Sequence, residues 1–378
     1  MAFLALCTAA GCAGHRPPST PSNQQLLKAS ETGDLAAVRR LLSEGVSVDS
    51  TYQDGTTALM LAALNDRTEI VRLLLDKGAN VSTRNFRGET PLSDAAEGAK
   101  AGTLKLLLDH GANPHIPYDD GGTILVTAAE RGNSDAVGLF LAKGFSLEDK
   151  NEALFAAAHG LPIAMMEVTN ESNQTFKGRY SSKADPNSAY SRTIRLLLQS
   201  GAQIEARDGP ENGSSTPLIV AATYGQTDAV NELLVNGANP DAADKFGNTA
   251  LMSAACICAI IDMPDTYESM KLLLEKRANP NAKNEVGRTA LMDAISWSRT
   301  DNMKLLLDHG AIIDARDNDG NTALMMAAAG GAIDLTPAAR LLVERDANIE
   351  IRNQRGETAL MIAKKSHLAD VVRLLAPK

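Results

Sequence analysis

Four cysteines and six histidines are the side chains in this 378-residue chain best suited to nucleophilic, redox or metal chemistry. Their spacing argues against all three. His15, His110, His115, His159, His309 and His367 are scattered, and His110 and His309 each stand directly before Gly-Ala in a recurring phrase. Catalysis needs an acid, a base or a nucleophile brought together. The chain has no HExxH, GxSxG or GxxxxGK[ST] pattern to do so. Cys256 and Cys258 lie two residues apart, which on a helix turns them to nearly opposite sides, so a disulfide between them would distort the backbone. A lone Cys-x-Cys without a nearby His also falls short of the four ligands of a closed zinc site. The expectation is a protein that is not an enzyme, with no cofactor and no metal.

The other two cysteines fall in an apolar start, MAFLALCTAAGC. Ala9-Ala10-Gly11-Cys12 resembles the lipobox of bacterial lipoproteins, with Ala9 where Leu is usual and without the positive n-region of a signal peptide. On this reading residues 1–12 are a signal and lipid-attachment segment, and Cys12 carries the lipid. The Pro- and Ser-rich residues 13–23 form a tether. The protein would then be anchored in the bacterial cell envelope, facing the periplasm. The alternatives are an unprocessed cytoplasmic protein and a secreted one. No other segment approaches the length of a membrane span.

Composition narrows the class further. The formal charge of −9 excludes a nucleic-acid binder that works by phosphate neutralisation. An apolar fraction of 44% excludes wholesale disorder, while only 4% of residues are aromatic. A core of this size must therefore pack with small and aliphatic side chains.

The elements that would do so repeat. Thr57-Ala58-Leu59, Thr90-Pro91-Leu92, Thr123-Ile124-Leu125, Thr216-Pro217-Leu218, Thr249-Ala250-Leu251, Thr289-Ala290-Leu291, Thr322-Ala323-Leu324 and Thr358-Ala359-Leu360 recur mostly at 33-residue spacing, with a degenerate copy at Glu152-Ala153-Leu154. Gly78-Ala79-Asn80, Gly111-Ala112-Asn113 and Gly237-Ala238-Asn239 trail them. Each Thr suits a helix N-cap, Pro91 and Pro217 suit a first turn, and Gly78 suits a left-handed helix stop. Val71, Leu74 and Leu75 form the apolar stripe of a second helix.

Thr-Pro-Leu, Ala-Ala, Leu-Leu-Leu and Gly-Ala at this period resemble the ankyrin-repeat family. The resemblance runs from Gln24 to Leu375 and implies an all-α ankyrin-repeat solenoid of about ten stacked helix pairs joined by short hairpin loops, over residues 24–378. The family's His after Thr-Pro-Leu is missing. Met60, Ser93, Val126, Phe155, Ile219, Met252, Met292, Met325 and Met361 take its place, which predicts packing instead of His-to-Thr hydrogen bonds. The first and last pairs, rich in Lys and Arg, should be polar caps.

Three stretches break the pattern. Residues 149–190 lack the usual hairpin and carry an insertion, in which Asp185-Pro186 should restart a helix. An irregular seam is expected there. The insertion is either a partner-contacting loop or a tolerated surface addition. Longer turns are expected from Cys256 to Tyr267 and from Gly330 to Pro337.

The resemblance also implies a protein partner, bound in the concave groove of hairpin tips and first helices by a monomeric scaffold. Carried over by position, Phe86, Arg87, Glu89, Phe246, Val286 and Arg288 belong to hairpin tips, and Tyr224, Ile257 and Trp297 to the groove face of first helices. The partner-binding candidates are Tyr224, Phe246, Ile257, Val286, Arg288 and Trp297. Trp297 either meets the partner or folds onto its neighbouring helix. A secreted effector or enzyme inhibitor, acting on a host or envelope enzyme, is the alternative function.

Overall fold

The computed structural model describes residues 21–98, 100–118, 121–160, 188–209, 213–256, 266–295, 299–331 and 333–376. The candidate residues Cys12, Ile257 and Trp297 lie outside them, as do Asp185 and Pro186. The chain forms two compact units, divided between Gly121 and Gly122.

The first unit holds α1 (Pro21–Thr32), α2 (Leu35–Ser43), α3 (Ala58–Leu64), α4 (Thr68–Asp76), α5 (Pro91–Gly98) and α6 (Ala101–Asp109). In it α1, α3 and α5 pack side by side, and α2, α4 and α6 form a second row against them. The second unit holds α7 (Ile124–Glu130), α8 (Ser134–Leu141), α9 (Leu147–His159), α10 (Ala189–Gln199), α11 (Pro217–Thr223), α12 (Thr227–Val235), α13 (Ala250–Ala255) and α14 (Tyr267–Glu275). It continues with α15 (Ala290–Ile295), α16 (Thr300–Asp308), α17 (Ala323–Ala329), α18 (Thr336–Glu344), α19 (Ala359–Lys365) and α20 (Ala369–Leu375). Odd-numbered helices again form one row and even-numbered helices the other. Among the described residues these are ten helix pairs. The only strand-like pairings there are the isolated bridges Thr51 to Thr57 and Ala243 to Thr249.

The repeated phrases do the expected local work. Thr57, Thr216, Thr249 and Thr322 are buried N-caps whose hydroxyls accept from the backbone N–H three residues on, at 3.1 to 3.4 Å. Each such cap is worth about 1 kcal/mol. The fourth-position residue adds a bond the sequence reading did not foresee. The Thr57 N–H donates to Met60 Sδ at 3.3 Å, and the Thr90 N–H donates to Ser93 Oγ at 2.7 Å. The slot vacated by His therefore closes its own helix start, a capping-box arrangement.

Helix ends are equally local. Gly78 has φ +82°, and Ala79 N–H donates back to the Leu74 carbonyl at 2.9 Å. Arg277 and Asp346 occupy the same slot at φ +68° and +63°, where a side chain is strained.

The irregular stretches are partly visible. Ser146 caps α9 directly, with no hairpin before it. Its partner α10 starts at Ala189 under a Ser188 cap, three residues beyond the expected Asp185-Pro186 restart. The helices α7, α9 and α11 nonetheless pack in unbroken succession.

The buried apolar residues are mostly Leu and Ala, with Met at the fourth position of several repeats. Phe140 in α8 is the one aromatic among the described residues less than 2% exposed. In the first pair Lys28, Arg39, Arg40 and Glu44 are exposed, and in the last pair Lys364, Lys365 and Arg373 are. No helix of the described residues is long and apolar enough to cross a membrane.

Candidate protein-binding groove

The hairpins that precede α5, α13, α15, α17 and α19 share one construction. An Asx side chain at the hairpin's start accepts from two backbone N–H groups across the tip. Asn85 Oδ1 receives Arg87 and Glu89, both at 2.9 Å, and Asp244 Oδ1 receives Phe246 and Asn248, both at 2.8 Å. Successive tips are then stitched by one backbone bond each. Phe86 N–H reaches the Asp54 carbonyl at 2.8 Å, Glu285 N–H reaches Phe246 at 2.9 Å, and Asn318 N–H reaches Val286 at 3.0 Å. Gly247, at φ +81°, lies so close to the next tip that a Cβ would sit 2.9 Å from Asn284 Cα. At Phe246 and Val286 both backbone polar groups are bonded.

Phe246 and Val286 sit on adjacent tips and are 51% and 56% exposed. Lys245 Nζ lies 5.0 Å from the Phe246 ring centroid. Tyr224 is placed differently from the solvent-facing ring expected. It is the half-buried C-cap of α11, and its ring meets His159 edge-on with centroids 4.0 Å apart. Burial lowers the His159 pKa, so the imidazole in this contact is neutral at pH 7. Arg288 is half-buried and holds Asp293 Oδ1 at 2.9 Å from its Nε. The structure thus brings Phe246 and Val286 together and spends Tyr224 and Arg288 largely on contacts within the chain.

Between tips and helices lie grooves, two of which occupy the same repeat position in different units. The α3/α5 groove has a volume of about 240 Å³ and is lined by Tyr52, Asp54, Met60, Leu64, Glu89 and Asp94, among others. The α17/α19 groove, about 420 Å³, has Asp319, Met325, Ala329, Glu357, Ile362 and Lys365. Glu89 and Glu357 correspond, and so do Asp94 and Ile362. In the second groove Lys365 Nζ meets Glu357 at 3.3 Å, and bonds from Asn353 and Lys365 hold the Glu357 carboxyl below its ordinary pKa. In the first groove Glu89 receives Asn85 Nδ2 at 2.5 Å and faces another acid. That acid, Asp94, is only 9% exposed. Burial, then the charges of Glu89 and Glu97, push its pKa to about 8. Asp293 fills the equivalent position on α15, where burial raises it to about 6 against the pull of Arg288.

Sequence reasoning passed over both Asp residues. The available signal was a carboxylate four residues after the repeat Thr, where other copies have Leu61, Thr127, Val220, Ser253, Met326 and Ile362. Among the described residues no group of three His, Cys, Asp or Glu converges as a metal site would require.

A family model described as "Ankyrin repeats (3 copies)" matches residues 26–118, 184–263, 218–317, 256–353 and 312–378. The chain belongs to the ankyrin-repeat family. Ankyrin repeats are generally protein–protein interaction modules, and the family is typically non-enzymatic. The chain is similar to the human "Ankyrin repeat domain-containing protein 63", 44% identical over 66 residues, which are 17% of each chain. It is also similar to the "Ankyrin repeat, SAM and basic leucine zipper domain-containing protein 1" of Carollia perspicillata. That match is 42% identical over 53 residues, 14% of this chain and 11% of the relative. The chain therefore spans less than a fifth of the length of either relative.

Proposed function

We propose that this ankyrin-repeat chain is a non-enzymatic scaffold that holds a partner protein along its hairpin tips and groove. The observation that carries this reading is the pair of neighbouring tips, Phe246 and Val286, each more than half exposed on a backbone whose polar groups are already bonded. Large apolar side chains presented this way are costly in water and suited to a desolvated contact. The test is cross-linking in the native cell extract followed by mass spectrometry, on the wild type and on a Phe246→Ser/Val286→Ser double variant. Loss of a cross-linked partner by tenfold or more is expected. Unchanged recovery would move the contact elsewhere.

We further propose that the scaffold is monomeric and tethered to the bacterial envelope through lipid on Cys12, a reading supported by Ala9-Ala10-Gly11-Cys12. Metabolic labelling with a fatty-acid analogue should mark the wild type and not Cys12→Ala. Label on neither form refutes the anchor, and light scattering of the processed chain tests the monomer.

A further inference from the structure

Three carboxylates are deeply buried among the described residues: Glu232 at 2%, Asp293 at 7% and Asp94 at 9% exposure. Two of them hold an arginine. Arg195 grips Glu232 bidentately, with Nε at 2.9 Å and an NH group at 2.8 Å, and Asn236 Nδ2 adds a third donor at 2.9 Å. Arg288 lies against Asp293. Paired burial of this kind is the rule for charged groups. Asp94 departs from it, since no hydrogen-bond donor of the described chain reaches its carboxyl, which lines the α3/α5 groove.

The corresponding groove shows what neutralisation looks like at this position. There Lys365 lies against Glu357, and the slot of Asp94 is the apolar Ile362. In the α3/α5 groove the Lys365 slot is Glu97. Its walls are Met60, Leu61 and Leu64, and Leu64 is 44% exposed. At about 240 Å³ the groove is smaller than the roughly 300–1,000 Å³ of small-molecule sites. It has room for a single long side chain.

We infer that the α3/α5 groove is a subsite for one Lys or Arg side chain of a partner protein. The cation meets Glu89 and Asp94, and the aliphatic stem lies along Leu61 and Leu64. This rests on the reading of the chain as a protein-binding scaffold and adds the chemistry that one groove selects. Long cationic side chains suit a site with apolar walls and an acidic end.

The charged and titratable groups around Asp94 are Glu89 and Arg87 on its own hairpin, Glu97 on α5, and Tyr52 and Asp54 on the preceding hairpin. All but the exposed Arg87 and the neutral Tyr52 are acidic. With Asp94 protonated below about pH 8, a docking cation must expel that proton, so binding strengthens as pH rises toward 8.

The experiment pans random heptapeptides displayed on phage against the full chain, Asp94→Ile and Asp94→Asn. Asp94→Ile takes the residue of the α19 copy, and Asp94→Asn keeps the shape while removing the charge. Circular dichroism checks that both fold. The expected result is Lys- or Arg-bearing peptides enriched at least tenfold on the wild type over both variants. The best such peptide, synthesised and titrated by calorimetry, should show Kd falling about tenfold per pH unit from 6 to 8, with one proton released. Wild-type peptides without a basic residue, or peptides held equally by the variants, would overturn the subsite and leave the scaffold reading intact. If the wild type retains no peptide, the subsite is likewise overturned, and the Phe246 and Val286 cross-linking decides the wider reading independently.

Discussion

At the α3/α5 groove, Leu64, Phe86 and Asp94 stand where the α17/α19 groove has Ala329, Gln354 and Ile362. The hairpins around them use the same Asx bonds, and the glutamates at their ends, Glu89 and Glu357, occupy the same slot. Backbone geometry is thus constant while the electrostatics differ. Each groove has an arginine on its tip, Arg87 or Arg355, but only one adds a cation from its helix, Lys365 on α19, and the other gathers acids and exposed apolar side chains. Phe86, at 76% exposure, caps that contrast. A repeat scaffold separates the residues that build it from those that give each groove its character, and a reader who knows the first set can isolate the second by subtraction.

The largest test of the contrast is Asp94→Asn. A carboxyl with its pKa raised by folding binds its proton more tightly in the native state, so stability falls as pH rises between the unfolded and folded values. Removing the charge should therefore stabilise the protein by an amount that grows by up to about 1.4 kcal/mol per pH unit between pH 5 and pH 8. Thermal melts across that range check it, and a pH-independent difference would dissolve the comparison. Asp293→Asn should behave alike over a narrower window. Its folded pKa is about 6, so the gain should stop growing near that pH.

A smaller effect compares the helix stops of the two units. The first unit uses Gly45, Gly78 and Gly111, all with positive φ, and the second uses Gly144, Gly201, Gly237 and Gly310 but also places Arg277 and Asp346 in this slot. Arg277→Gly and Asp346→Gly should each stabilise by about 1 kcal/mol in thermal unfolding. The same exchange reversed, Gly78→Arg, should cost a similar amount. Smallest of all is Lys365→Met. The Glu357 carboxyl should lose its cation and titrate closer to its ordinary value by NMR, and the melting temperature should move by no more than about 2 °C.

The sequence revealed most of the architecture because its signals act within a few residues. Thr57 caps a helix through Met60, and Gly78 ends one through Leu74 and Leu75, so neither needs distant information. The polar terminal pairs followed from the same logic. What lay outside reach depends on neighbours a repeat away. Asp94 is buried partly by the hairpin of the preceding repeat, and nothing in its local sequence announces that. Tyr224 read as an exposed ring until His159, sixty-five residues earlier, was placed against it. The left-handed Arg277 follows no local preference, and it and Asp346 stand out only as failures of the Gly-Ala phrase.

The stitched hairpins have a consequence for how such a molecule changes over generations. Their folding energy comes from backbone amides and from the Asx side chain at the start of each tip. The exposed residues one or two places further on, Phe86, Phe246 and Val286, contribute little to it through their side chains. Those positions can be rewritten with slight penalty to the fold, one tip at a time. Selection can therefore explore new binding surfaces on this chain as substitutions at a row of nearly neutral sites, with no refolding of the frame that displays them.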